Sequence, residues 1–280
     1  MSVMRTHLYN NKVLGGTKAL LSLLPLCLFT VSMLLTACSN ISEDERFVYV
    51  KPADVKRRVL IEDFTGQRCV NCPAAHEEIE RLQQQYGESN VIAVSIHGGA
   101  LSVKSTATIV GLWTELGDQY NKSAGVESWP AGLINRAGGL LDVPQWAAKV
   151  YEEVQKTTPV SGIEFVNVVK GDRLSFDVNV SSLEDLFCKL QLWIVEDGIV
   201  APQQMGDGSM NRNYVHNNVF RGTITDFAGD DLALLAGKTT QVSYSMAFNE
   251  EWNRENLAIL AIVSNKNGVL QVAKIKLKDL

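Results

Sequence analysis

Cys69 and Cys72, two cysteines with two residues between them, are the residues of this chain whose types and spacing could do chemistry. Such a pair can close into a disulfide or open into two thiols, and it exchanges with other proteins through a mixed disulfide. The pair follows an apolar run, Val59 to Phe64, and precedes an amphipathic pattern that starts at about Cys72. Ala75, Ile79, Leu82 and Tyr86 recur at three- and four-residue spacing, and Gly87 ends the pattern, which predicts a helix from Cys72 to Tyr86. Pro73 suits a first helical turn, where a missing N–H costs little. Strand, turn, CxxC and helix place a sulfur at a helix N-terminus, where unpaired N–H groups and the helix dipole favour thiolate over thiol.

The elements that must position this pair lie in a chain of 280 residues, 46% apolar and 20% charged, long enough for two globular domains beyond a leader. The net charge is −5, and taking off the three basic residues before Cys38 (Arg5, Lys12 and Lys18) leaves −8. An acidic surface without a basic stripe excludes nucleic acid as a natural partner. Five cysteines, unevenly spaced, are too few for a disulfide-stapled scaffold. Cys27 is an apolar residue of the leader, and Cys188 reads as a buried free thiol within a strand.

The N-terminus combines a basic region up to Lys18, an apolar run from Ala19 to Leu35, and Leu35-Thr36-Ala37-Cys38. This is the form of a secretory signal, and its end resembles the bacterial lipobox. The resemblance implies a signal peptide over 1–37 and a lipid on Cys38 that anchors the protein to a membrane, with a linker over 38–55. The alternative is a transmembrane anchor, against which stand the shortness of the run and Pro25. Ser39 after the cysteine implies, by analogy with bacterial sorting, the outer membrane of the cell envelope. The acidic cluster Glu43-Asp44-Glu45 resembles surface-export signals, with a solvated linker as the alternative.

Residues 56–158 predict an α/β layer domain. Val91 to Ile96 reads as a strand buried on both faces, Thr106 to Tyr120 as a helix, and Pro144 to Lys156 as a final helix. This stretch resembles the thioredoxin superfamily at three places. Cys69 and Cys72 occupy its CxxC, Asp63 falls where the family keeps a buried carboxylate, and Pro130 falls where it keeps a cis-proline facing the dithiol. Arg68 before the first cysteine, Val70-Asn71 between the two, and Trp129 before the proline depart from the family pattern. The resemblance implies that Cys69, exposed at the helix start, attacks, and that Cys72, buried one turn in, resolves. Asp63 then assists proton transfer, and the Pro130 backbone holds a peptide beside the sulfur. Arg68 and Trp129 are candidate contacts to the bound partner. Two alternatives stay open. Cys69, Cys72, His76 and His97 could form a Cys₂His₂ metal set, although no second CxxC exists, and the pair could be a structural disulfide without turnover. His76 otherwise reads as a solvent-facing helix residue and His97 as a loop residue. No cofactor is expected.

Residues 159–280 change to alternating patterns. Strands are predicted at Val160–Val169, Arg173–Val180, Cys188–Val195, Gln241–Phe248, Leu257–Val263 and Val269–Leu277, which suggests an all-β, immunoglobulin-like sandwich. Asn265-Lys266-Asn267-Gly268 signals a hairpin. Gly198 to Gly222 reads as a long loop in which Tyr214, His216 and Arg221 have no assignable chemistry. Lipobox, CxxC domain and a β domain carrying YVHNNVFRG together resemble the outer-membrane-protein-28-related lipoproteins of Bacteroidetes. Two functions follow as expectations. One is thiol–disulfide exchange on envelope proteins, fed by a membrane electron donor if it runs as a reductase. The other is a binding or adhesion lipoprotein with a structural CxxC. No P-loop, dinucleotide fingerprint or Ser-His-Asp arrangement is present.

Overall fold

The computed structural model of the protein describes residues 57–279; the expected signal peptide, Cys38 and the linker to residue 55 lie outside the described residues. Strands β1 (Val59–Thr65) and β2 (Val91–His97) pair in parallel, with Val59 opposite Val91 and Thr65 opposite His97. Both are buried at every position because each face is covered, and Glu62, Asp63, Ser95 and His97 are buried along with their apolar neighbours. Helix α1 (Cys72–Tyr86) connects them. Its Ala75, Ile79, Leu82 and Tyr86 pack with Val59, Ile61, Val91 and Ala93, and with Trp146 and Val150 of α3 (Val143–Val154). Strand β3 (Ala131–Ile134) runs antiparallel on the other edge of β1.

Between them lies α2 (Glu115–Ala124), capped by Thr114, whose side chain accepts from the Gly117 N–H, and closed by left-handed Gly125. The expected helix over Thr106–Tyr120 is therefore displaced. Residues 106–113 have other partners for their backbone: Leu112 N donates to the Gln67 side chain and Trp113 N to Val103 O. Leu112 is buried with Ala201 and Val219 while Ile109 and Val110 are exposed, so the stretch has no continuous helical face.

The remaining described chain is almost all β. It comprises β4 (Val160–Lys170), β5 (Arg173–Ser182), β6 (Leu186–Glu196), β7 (Ile199–Gln204), β8 (Met210–His216), β9 (Val219–Thr223), β10 (Asp230–Leu234), β11 (Lys238–Ala247), β12 (Leu257–Asn265) and β13 (Gly268–Lys276). One sheet has the order β13-β12-β6-β9-β2-β1-β3, with β10 also on β6. Strands from both sides of residue 158 thus share it, and the join is β2 with β9, where Ser95 lies opposite Val219 and Ser95 N donates to Asn218 O. A second sheet, β11-β5-β4, covers β6 and β12 around Leu174, Phe176, Val178, Leu192, Ile194 and Ile259. Beneath the join, Trp193 and Phe220 pack on Tyr120 of α2. Arg136 pairs with buried Glu62 at 2.8 Å and donates to Gln191 at 2.6 Å, which ties β1 to β6.

Strands β7 and β8 form a two-stranded hairpin apart from both sheets. They replace most of the loop expected over Gly198–Gly222. Met210 to Asn213 are all exposed and three of them are polar, so the alternation that marks a strand is absent from this stretch. Backbone pairing with β7 makes it a strand.

Candidate functional site

The site is built where β1 ends, α1 begins and the β7–β8 hairpin lies across both. Cys69 and Cys72 are joined in a disulfide with Cα atoms 5.4 Å apart. Cys72 is the first residue of α1 and fully buried. Cys69, expected to be exposed at the helix start, is only 3% exposed. The hairpin is the reason. Gln204 N donates to Gln67 O at 2.8 Å, the Gln203 side-chain Nε2 donates to Cys69 O at 2.9 Å, and Gln67 Nε2 donates to Pro202 O at 3.0 Å. At the hairpin tip, Gly206 lies against the Val70 carbonyl. Arg68 and Val70 flank the disulfide and stay exposed.

Gln67 is the hub of this closure. It is buried, and its side chain also accepts from Leu112 N at 2.8 Å and donates to Val110 O at 3.0 Å. One side chain therefore ties the CxxC turn to the 102–114 loop and to the hairpin. Gly66 beside it presses on the Leu101 backbone, 2.7 Å from where a Cβ would stand, so only glycine fits that turn.

Asp63 lies fully buried in β1. Its Oδ2 faces Ser95 Oγ at 3.4 Å and His76 Nε2 at 3.5 Å, while its Oδ1 has no hydrogen-bond partner. His76 stands one helical turn after Cys72. Its Nε2 is 3.2 Å from Thr65 Oγ1 and its Nδ1 is 2.9 Å from the Tyr214 hydroxyl of β8. It is thus a bridge from α1 to the hairpin rather than the solvent-facing residue expected. His97 is the last residue of β2 and buried, not a loop residue. His216, the last residue of β8, is buried against it, with ring centroids 5.6 Å apart; His76 lies 6.2 Å from His216 and Tyr214 4.8 Å. Every histidine beyond the leader meets here.

Both ring nitrogens of His97 and of His216 lack a hydrogen-bond partner; backbone groups at Ser95 and Ala201 approach them only weakly. Burial, with neighbouring histidines adding to it, pushes His97 well below the ordinary histidine range and His216 down to about 3. Both are neutral at physiological pH. Burial pushes the Tyr214 hydroxyl up to about 12, so it serves as a neutral hydrogen-bonding group.

The Trp129–Pro130 bond is cis. Phe64 lies opposite Ala131, and the register carried one step further sets Pro130 level with Thr65, beside the turn that leads into the cysteines. The Trp129 indole donates to Asn121 Oδ1 at 2.9 Å and lies over Gly99, where a Cβ would sit 2.2 Å from the ring. Asp63, Cys69, Cys72 and Pro130 thus gather at one end of β1, with Arg68 exposed beside them. No group of three or more His, Cys, Asp or Glu side chains among the described residues is arranged to hold a metal ion.

Gln67, Gln203, Tyr214 and His216 are the site residues that sequence reasoning did not assign. The side-chain hydrogen bonds that join Gln67, Gln203 and Tyr214 to other segments span from 43 positions, for Gln67 with Val110, to 138, for His76 with Tyr214, and no local pattern marks them. A cleft of about 410 Å³ between α1 and β8, lined in part by His76, Tyr214, Glu80 and Lys274, opens beside them.

Comparison with known proteins adds a family and a fold. The family profile described as "Outer membrane protein Omp28" matches residues 117–279, which include the cis-proline and the hairpin but not the CxxC. HBP35 of Porphyromonas gingivalis is similar in fold, with a TM-score of 0.62 and 18% identity over 79% of this chain and 75% of that one. A domain of the outer membrane lipoprotein Omp28 from the same organism aligns at 18% identity over 43% of this chain and 89% of its own, with a TM-score of 0.29 that carries no structural argument. No curated protein matches the sequence.

Proposed function

Because this chain belongs to the Omp28 family of outer membrane proteins, we propose that it is a cell-envelope lipoprotein that performs thiol–disulfide exchange at Cys69 and Cys72. A lipid on Cys38 anchors it to the outer membrane. The residues after it comprise a thioredoxin-like part and an immunoglobulin-like sandwich that share a sheet. The observation that carries the exchange reading is the meeting, at one end of β1, of the Cys69–Cys72 pair at a helix start, buried Asp63 and cis-Pro130.

Exchange then runs as follows. A partner thiolate attacks Sγ of Cys69, a mixed disulfide forms, and Cys72 leaves as thiolate. A second partner thiol breaks the mixed disulfide, so the partner is oxidised by two electrons and the pair is reduced. The reverse direction reduces a partner disulfide and draws its two electrons from a membrane electron donor. Asp63 takes or supplies the proton at the buried sulfur. Arg68 and Trp129 contact the partner.

The test is Cys72→Ser expressed in cells. Mixed disulfides trapped on Cys69 with envelope proteins are expected. Absence of adducts, together with a purified protein that neither reduces insulin nor oxidises a dithiol peptide, overturns the proposal.

One observation favours a second reading. Cys69 is buried under the hairpin, which suits a structural disulfide in a binding or adhesion lipoprotein. In that case the Cys69→Ser/Cys72→Ser double variant keeps its phenotype and partner binding in full.

A further inference from the structure

We infer that the β7–β8 hairpin is an acid-released lid over the Cys69–Cys72 disulfide, with His216 and His97 as the groups whose protonation opens it. The hairpin belongs to neither large sheet, and at the disulfide its attachments are few. They are the Gln204 N–H on Gln67 O, the Gln203 and Gln67 side chains, and the Tyr214 hydroxyl on His76. Few bonds and an exposed tip are the marks of a segment that opens locally while the core stays closed.

Chemistry at the hinge end supplies the trigger. Where β8 ends, His216 comes down on His97 at the end of β2, and four buried ring nitrogens meet there with no well-formed hydrogen bond, only weak approaches of backbone groups at Ser95 and Ala201. A neutral imidazole tolerates this poorly; an imidazolium carries two N–H donors and a charge, and tolerates it far less. The other titratable and charged groups around the cluster are Asp63 on β1, His76, Glu77 and Glu80 on α1, Tyr214 on β8 and Arg221 on β9. His76 and Arg221 oppose a new positive charge. Asp63 faces His76, and Glu77 and Glu80 act on Tyr214; none of these carboxylates pairs with His97 or His216. Opening the hairpin hydrates both rings.

The sign follows from linkage. The closed lid holds the histidines neutral, with His216 down at about 3, whereas a hydrated histidine titrates near 6.5. The open state therefore binds more protons. Closure is at full strength above about pH 6.5 and weakens as pH falls from there towards 3. Each histidine released raises the open population by about 25-fold between pH 7 and pH 5.

The lid gains a purpose from the exchange chemistry proposed above, but its opening is measured without turnover, so failure of either is distinguishable from failure of the other. The experiment is hydrogen exchange on the full-length oxidised protein in detergent at pH 7, 6 and 5, with each rate divided by its intrinsic rate. Reduction of the disulfide by a water-soluble phosphine is followed in parallel, relative to an unfolded CVNC peptide at the same pH. The expected result is a fall of at least 25-fold in protection over residues 199–216 at pH 5, unchanged protection in β12, and a matching gain in relative reduction rate. His216→Gln lowers the pH dependence by one proton, and His97→Gln/His216→Gln flattens it. Constant hairpin protection in the wild-type protein overturns the inference. So does loss of protection in hairpin and β12 together, which is global unfolding, or a folded double variant that keeps the wild-type slope.

Discussion

Gln67→Leu removes one buried side chain that holds three segments together. Its amide donates to Val110 O and Pro202 O, each at 3.0 Å, and its carbonyl accepts from Leu112 N at 2.8 Å. Leucine has nearly the same volume, so packing changes little and the effect isolates hydrogen bonding. Each bond is worth about 1 kcal/mol net, and a buried backbone group left unpaired costs about 1–3 kcal/mol. The loss is therefore about 3 kcal/mol at the low end, or roughly 150-fold in the equilibrium between closed and locally open forms. Hydrogen exchange at the Leu112 and Gln204 amides reads it directly, since Leu112 N bonds the lost side chain and Gln204 N bonds the Gln67 backbone. Both should lose protection by about that factor or more, the β12 amides should not, and the disulfide should be reduced faster by the phosphine. A folded Gln67→Leu protein with wild-type protection at Leu112 would refute the assignment of Gln67 as the hub.

Arg136→Met leaves Glu62 buried without its cation and also strips a donor from Gln191; it should cost about 3–5 kcal/mol in denaturant unfolding. A loss below 1 kcal/mol would mean that the pair does not tie β1 to β6. Cys188 is buried, with its sulfur 3.4 Å from Leu232 O and its thiol pushed up by burial. At pH 8 it should be alkylated many-fold more slowly in the folded protein than after denaturation, as mass spectrometry of iodoacetamide-treated samples would show.

Much of this fold is legible in the residues. Helix α1 runs over Cys72–Tyr86 as its apolar spacing predicts, because packing on β1 and β2 uses the same face that the spacing marks. Strands β4, β5, β6, β12 and β13 lie where alternation or unbroken apolar runs place them, within a few residues at each end. The Asn265–Gly268 turn closes β12 on β13 as its residues imply. The 106–113 stretch shows the opposite. Its composition allows a helix, but Gln67 and Val103 accept its N–H groups, and those partners are 45 and 10 positions away.

The site divides in the same way. The sequence by itself determined which two sulfurs can pair and that a helix starts at the second of them, because these are relations over short spans. Asp63 and Pro130 came instead from the resemblance to thioredoxins, since no local pattern links Pro130 to a cysteine pair 58 positions away. Only the tertiary structure decided access. That the disulfide lies under residues 199–216, that Gln67 fastens the cover, and that His76, His97 and His216 meet beneath it depend on contacts across 119 to 140 positions. Such contacts are set by the joining of β2 to β9, which brings the second half of the chain back onto the first. No local pattern of residues carries that information, because it belongs to the order of strands in a sheet.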